Sequence, residues 1–263
     1  MALKRLPRRL GHGEEATLVE HLGELRARLL VSLAAVLIGF VVAFIFHEQL
    51  IEWLLEPLPD ERKDDLITIG VTEPFTTAIK VSFYAAFGLA LPVILWQLWS
   101  FLAPAVEQGS QRLIAGFVAL ATVLFAGGVA FSYFIAFPKA LAFLTNYDEE
   151  LYDVQIRASY YLSFAALMVL ATALFFELPI FILALVRLGV LTSAKLRRNR
   201  RWGIVIVISL AILLPTVDPV SLAFEAVPLL LLFEGSIWLS VLMEKRWHPA
   251  ELPLPNDSSL EGS

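Results

Sequence analysis

The sequence has no cysteine, only four histidines, and charged residues at just 17% of its 263 positions. The absence of cysteine excludes disulfide frameworks, thiolate metal sites and cysteine nucleophiles. The histidines are scattered and form no ligand cluster, so we expect neither a metal nor another cofactor; they are His12, His21, His47 and His248. Soluble domains are about 25% charged, and this chain therefore has too little polar surface to enclose a water-soluble core.

Apolar residues are abundant instead, at 58% of the chain, and the mean hydropathy is +0.74. Because a membrane-crossing helix takes about 20 residues, we predict an all-α integral membrane protein with one domain at residues 1–244. After an N-terminal segment at 1–28, six transmembrane helices are expected, of which the fifth is short. Their predicted ranges are about 29–46, 76–103, 113–137, 158–186, 202–216 and 221–243, followed by a disordered tail at 245–263.

The positive charges predict the orientation. Fifteen of the twenty lysines and arginines precede the first span, follow the second or fourth span, or end the chain, which places both termini in the cytoplasm. The basic stretch Lys195 to Arg201 sets topology and faces lipid, and we do not expect it to bind nucleic acid. The outer loops are acidic, and the first contains an apolar run, Gln49 to Leu55, that predicts a short amphipathic helix ending at Pro57, and a strand at Leu66 to Val71.

Two carboxylates fall at predicted mid-membrane depth, Glu177 and Glu234. An ionised group there costs roughly 2.5–3.5 kcal/mol, so each is either a buried, hydrogen-bonded packing residue or a functional one. A transporter with these two as a protonatable pair is one alternative, but no repeat and no broken mid-membrane helix is apparent. A membrane enzyme is a weaker alternative, because no nucleophile with its base and no metal-ligand set is visible.

Three further features have local explanations. Thr17-Leu-Val-Glu20 matches a capping box that opens a helix, on which Glu24 and Arg28 are four residues apart. Glu24 can be an intrahelical ion-pair partner or can accept a guanidinium from a ligand. Lys80 can extend outward from its helix, and Asp218, in a proline-flanked hairpin between the last two spans, can cap the sixth helix.

Six short motifs, in unbroken order from about Thr17 to Glu244, together resemble the TatC family. They are His21-Leu-Gly-Glu-Leu-Arg26, Pro74-Phe75 through Lys80, Phe101-Leu-Ala-Pro104-Ala, Tyr133 to Pro138, Phe176-Glu177-Leu-Pro179, and Pro215 through Asp218.

The resemblance implies a receptor subunit of the twin-arginine protein translocase in the bacterial cytoplasmic membrane, with no enzymatic activity. It implies six helices in a concave, glove-like bundle with a short fifth and sixth helix. It also implies binding of twin-arginine signal peptides of folded proteins, export driven by the proton-motive force, TatA- and TatB-type single-span partners, and self-association.

The resemblance also assigns residues. Glu24 matches a family glutamate that binds the arginine pair, with Arg26 beside it, whereas a second such glutamate falls on Ser110. Our hypothesis is that Glu107, three residues earlier, supplies the missing charge. Glu177 matches an intramembrane glutamate facing the cavity. Further signal-peptide positions are Phe101 and Pro104, and positions expected to be structural or to contact partners are Pro57, Phe75, Lys80, Asp218 and Glu234.

Overall fold

The computed structural model describes residues 18–63, 66–102, 111–147, 155–215 and 218–247. The first half contains α1 (Leu18–Ile45), α2 (His47–Leu55), α3 (Asp60–Lys63), β1 (Leu66–Ile67), α4 (Glu73–Leu102) and α5 (Gln111–Phe131). A π-helix (Ser132–Ala136) then leads into α6 (Phe137–Asn146). The second half contains β2 (Ile156–Arg157), α7 (Ala158–Phe175), α8 (Leu178–Arg187), α9 (Ser193–Arg198), α10 (Arg200–Ile212) and α11 (Pro219–Trp247).

Among the residues that the structure describes, five helical segments are long and apolar enough to cross a membrane, so the chain is a multi-pass α-helical membrane protein. They are His21–Ile45, Glu73–Leu102, Ile114–Asn146, Ala158–Arg187 and Pro219–Glu244. The helix in the fifth predicted position, α10, has 13 residues. At 1.5 Å per residue it is about 20 Å long, shorter than a hydrocarbon core of roughly 30 Å, in agreement with the short fifth helix expected.

The third predicted span does not end at residue 137, because α5, the π-helix and α6 continue to Asn146. Pro138 lies in the first turn of α6 and does not end the helix. In the π-helix the backbone N–H of Phe137 donates to the carbonyl of Ser132, five residues earlier. This wider turn shifts the hydrogen-bond register and accommodates a ring that would otherwise meet the carbonyl four residues before it.

The fourth predicted span is not one continuous helix, because α7 ends at Phe175 and α8 begins at Leu178. Pro179 has no N–H, and its ring excludes the carbonyl four residues earlier, that of Phe175, from the helical pattern. Glu177 donates its N–H to Leu174, three residues back, at 3.1 Å. The expected absence of a broken helix is therefore wrong, since this helix breaks at Phe176 and Glu177.

The sixth helix is not short, which corrects a second expectation: α11 has 29 residues. Its start is set by Asp218, whose Oδ1 accepts the N–H of Ser221 at 2.7 Å, as the predicted cap requires. Its end was placed at residue 243 because hydrophobicity falls there. Loss of hydrophobicity ends a membrane span but not a helix, and Glu244, one residue later, accepts the N–H of Ser193 at 2.8 Å.

The amphipathic helix α2 is present as predicted, and Pro57 explains how its end is held. The carbonyl of Trp53 would bond the N–H four residues on, but that residue is the proline. It accepts the hydroxyl of Tyr133 instead, at 2.9 Å, and the carbonyl of Leu54 accepts the hydroxyl of Tyr161, also at 2.9 Å. Two tyrosines thus satisfy carbonyls that a helix end leaves unpaired.

The segments before α4 and α7 meet in a two-stranded parallel sheet of β1 and β2, in which Leu66 lies opposite Ile156. The strand at Leu66 was expected, but its partner was not. Beside the sheet, Glu73 is 6% exposed and accepts Arg157 Nε at 2.8 Å and Nη2 at 3.0 Å, the Ser159 hydroxyl, and the N–H groups of Ile69 and Gly70. The ion pair between Arg157 and Glu73 therefore joins β2 to the start of α4. Hydrogen bonding to Glu73 also raises the pKa of Arg157.

The buried core is divided among the spans. One cluster joins α2, α4, α6 and α7 around Phe137 and Met168, and another joins α4, α5 and α8 around Leu95 and Ile180. A third joins α10 to α11 around Phe233. The first helix packs along α4, where a Cβ on Gly39 would lie 3.0 Å from the carbonyl oxygen of Ala86.

Candidate functional site

The cytoplasmic end predicted for α1 packs against the end of α4. The ring of His21 stacks on that of Phe101, with centroids 4.4 Å apart and planes inclined by 22°. Phe101 is the second-last residue of α4, immediately before the stretch 103–110 that is predicted to contribute the other peptide contacts. The stack therefore connects the first helix to the beginning of that stretch.

One turn further along α1, Glu24 forms an ion pair with Arg28. Arg28 donates from Nε at 2.9 Å and from Nη2 at 2.5 Å, and both bonds go to the same oxygen, Oε1 of Glu24. No residue in the described ranges donates to Oε2. Glu24 and Arg28 are 25% and 24% exposed, so Oε2 belongs to a carboxylate that is oriented but still accessible.

Gln97 of α4 is the third member of this group. Its Oε1 lies 3.4 Å from Nη1 of Arg28, at the long end of hydrogen-bond distances. Glu24, Arg28 and Gln97 therefore form a chain of polar contacts between α1 and α4, and it can orient the carboxylate or take up a guanidinium. Within the described ranges, no three histidines or carboxylates lie where they could hold a metal ion.

A family model for the Sec-independent protein translocase protein (TatC) matches residues 20–228 of the sequence, which is well over half of the chain. The chain belongs to the TatC family. It is therefore a membrane component of Sec-independent protein translocation, a transport protein rather than a catalytic enzyme.

Relatives and a solved structure agree with this assignment to TatC. The chain is 34% identical to the TatC protein of Helicobacter pylori strain J99 over 90% of its length and 92% of the relative's. It is 38% identical to TatC of Aquifex aeolicus, with 87% and 96% covered. A crystal structure described as the twin-arginine translocase receptor TatC superposes with a TM-score of 0.75 at 36% identity, covering 84% of this chain and 99% of that one.

The structure describes only some of the residues of this TatC chain that are predicted to bind a signal peptide. Glu24 and Phe101 lie at the same end of the α1 and α4 pair, whereas Arg26 is exposed on α1 and makes no ion pair with a described residue. Pro104, Glu107 and Ser110 lie outside the described residues, and their contacts remain predictions.

Three residues that sequence reasoning did not place in the site lie around Glu24. Arg28 was noted only for its four-residue spacing, and that spacing is the signal for an intrahelical ion pair. His21 lies inside a quoted motif but was given no role. Gln97 was visible as a polar residue in an apolar helix, but no sequence pattern shows which helix it faces.

Glu177 is buried, at 1% exposure. Neither of its carboxylate oxygens accepts a hydrogen bond from any residue that the structure describes. A close approach of two helices forms part of its surroundings, because a Cβ on Gly128 of α5 would lie 2.7 Å from the Cα of Ala173 and 2.9 Å from the Cβ of Phe176. Glu177 is therefore held at a helix break without the satisfied hydrogen bonds that a packing role would provide.

Oε2 of Glu234 lies 2.7 Å from Nη2 of Arg200, and this ion pair joins α11 to α10. The transporter alternative takes Glu177 and Glu234 as a protonatable pair, whereas in the structure Glu234 is paired with an arginine. Among the remaining predicted positions, Phe75 is exposed, and its ring lies edge-to-face with that of Phe44, with centroids 6.4 Å apart. Lys80 is exposed on α4. Pro57 and Asp218 act on helix ends as described above.

Proposed function

We propose that this TatC-family protein is the receptor subunit of the twin-arginine translocase. It binds the twin-arginine signal peptides of folded proteins and exports them with TatA- and TatB-type single-span partners and further copies of itself, using the proton-motive force. It lies in the bacterial cytoplasmic membrane as six spans in a concave, glove-like bundle with both termini in the cytoplasm. Family membership and the similarity to a twin-arginine translocase receptor support this proposal.

The proposal depends chiefly on the arrangement of the Glu24 carboxylate. Its Oε2 has no described donor, and the group is partly exposed at the end of α1. A guanidinium offers several donors in one plane, an arrangement that lysine does not have. Hydrogen bonds to a charged group contribute roughly 1.5–3 kcal/mol each, so a peptide arginine is a suitable ligand for this oxygen.

The distribution of exposed charges supports the proposed orientation. Arg26 lies near the start of α1, and α9 exposes Lys195, Arg197 and Arg198. At the other end of α1, about 42 Å away for 28 helical residues, α2 exposes carboxylates such as Glu48. Positive charge beside one set of span ends is typical of the cytoplasmic side.

Peptide binding by the purified protein tests the role of Glu24. We expect Glu24→Gln to weaken binding of a fluorescent peptide with two consecutive arginines by about tenfold or more. Glu48→Gln is the matched control, because it removes the same charge from α2, which follows the opposite end of α1. A peptide with two lysines should bind weakly to the unmodified protein. Equal binding by Glu24→Gln and the control, or equal binding of the two peptides, contradicts the proposed site.

The hypothesis for Glu107 is tested in the same assay. Glu107→Gln should also weaken binding of the arginine peptide, and crosslinkers placed at positions 24, 107 and 110 should react with it. If Glu107→Gln binds the peptide as the unmodified protein does, Glu107 does not replace the family glutamate whose position is Ser110.

We further propose that Glu177 acts in the membrane during transport. In this proposal its carboxylate faces the concave side of the bundle, where it hydrates the groove or contacts helices of the partners or the signal peptide. Its burial without a described hydrogen-bond donor supports a role beyond packing.

A further inference from the structure

Arg28 and a peptide arginine need the same atoms of Glu24. In the structure Arg28 uses two nitrogens on Oε1 alone. The strongest arrangement of an arginine with a carboxylate is bidentate, with one nitrogen on each oxygen. An incoming arginine can reach that arrangement only if Arg28 leaves Oε1. Otherwise the peptide arginine can bond to Oε2 alone, and its positive charge lies close to that of Arg28.

Arg28 has a second acceptor to move to. The Oε1 of Gln97 lies 3.4 Å from Nη1 of Arg28, so a small rotation of the guanidinium would shorten a contact that is now weak. Arg28 is 24% exposed and Gln97 is partly exposed, so both side chains have room to rotate in such an exchange. The α4 helix thus presents an acceptor that would keep Arg28 hydrogen-bonded after it leaves Glu24.

We propose that Arg28 is an internal competitor for Glu24, displaced toward Gln97 when a peptide arginine binds. This inference rests on the proposed function, because it takes Glu24 to be the acceptor of that arginine. Arg28 then sets the affinity of the receptor: it keeps the carboxylate oriented and partly neutralised in the free state, and its displacement lowers the net gain from binding.

The test measures the affinity of full-length protein in detergent for the two-arginine peptide. We expect Arg28→Gln to bind about two- to fivefold more tightly, the range that corresponds to losing a competing ion pair of ordinary strength. Arg28→Lys, which keeps the charge, should stay closer to the unmodified protein. Arg197→Gln is the control for net charge, because it removes an exposed arginine from α9. A gain in affinity is a readout that damage to the fold does not produce.

Gln97→Leu gives a second, independent variant on the other helix. It removes the alternative acceptor of Arg28 and should weaken peptide binding about twofold. Tighter or unchanged binding by Gln97→Leu overturns the exchange between the two acceptors. This variant decides the question if Arg28→Gln does not fold.

The failure of this inference is distinguishable from that of the proposed function. If Glu24→Gln loses binding while Arg28→Gln binds no more tightly than Arg197→Gln, Arg28 is not a competitor and Glu24 is still the acceptor. If Glu24→Gln binds the peptide normally, the proposed site fails and the competitor role fails with it.

Discussion

The hydrogen bond from the hydroxyl of Tyr161 should stabilise the end of helix α2 by an amount that can be measured. It donates to the carbonyl of Leu54 at 2.9 Å, and the two residues are 6% and 3% exposed. Tyr161→Phe removes only the hydroxyl and leaves the carbonyl buried without a donor. A hydrogen bond contributes about 1 kcal/mol net, and an unsatisfied buried acceptor costs roughly 1–3 kcal/mol, so we expect a loss of about 1–2 kcal/mol.

Thermal unfolding in detergent provides the assay. One kcal/mol shifts Tm by roughly 2–4 °C in domains of 150–250 residues, so a loss of about 1–2 kcal/mol in Tyr161→Phe should lower Tm by about 2–8 °C. Tyr160→Phe is the matched control: it is the same substitution one residue away, at a ring that is 71% exposed. A Tyr161→Phe protein that unfolds within about 1 °C of this control would refute the assigned role of the hydroxyl.

Tyr133 extends the same prediction. Its hydroxyl bonds the carbonyl of Trp53, and its ring also stacks on that tryptophan, with centroids 4.0 Å apart. Tyr133→Phe keeps the stacking and should therefore cost only the hydrogen bond. Because both tyrosines hold one helix end, the two losses should not be additive in the double variant. Strict additivity would show that the two carbonyls of α2 are held independently.

Two other predictions concern the helix break. Gly128→Ala should destabilise the protein by about 1–3 kcal/mol through overpacking against Ala173, measured as a lower Tm, whereas Gly127→Ala, whose Cβ would have no neighbour within 4 Å, should have little effect; equal shifts would contradict the close approach. Glu177→Ala should retain peptide binding but reduce transport of a twin-arginine substrate into membrane vesicles, and full transport would restore a packing role for Glu177.

The spans were predictable because hydrophobicity and helix length determine them. The ends and breaks of the helices were less predictable, because backbone hydrogen bonding determines them. Pro138 and Pro179 both suggest breaks, but only Pro179 follows one, at Phe176 and Glu177. A π-turn accommodates Pro138, and the sequence has no pattern that announces a π-turn. The length of α11 was underestimated because the same criterion was used for a span and for a helix.

The candidate site divides in a similar way. Glu24 was recognised from a motif and Arg28 from its spacing, since both are local signals along one helix. The contacts of Arg28 with Gln97 and of His21 with Phe101 join positions far apart in the chain. A single sequence does not show such pairings, because they depend on how α1 is rotated against α4.

The contacts of α2 and α4 with β2 and α7 also impose an order on assembly. Leu54 is synthesised 107 residues before Tyr161, the donor to its carbonyl, and Glu73 is synthesised 84 residues before Arg157. At synthesis rates of about 5–20 residues per second, the first interval lasts roughly 5–20 s. During this interval the carbonyl of Leu54 lacks its tyrosine donor. Because Arg157 and Tyr161 lie four residues apart, both contacts become available almost together, and this end of the fold is completed only after the start of α7 has been synthesised.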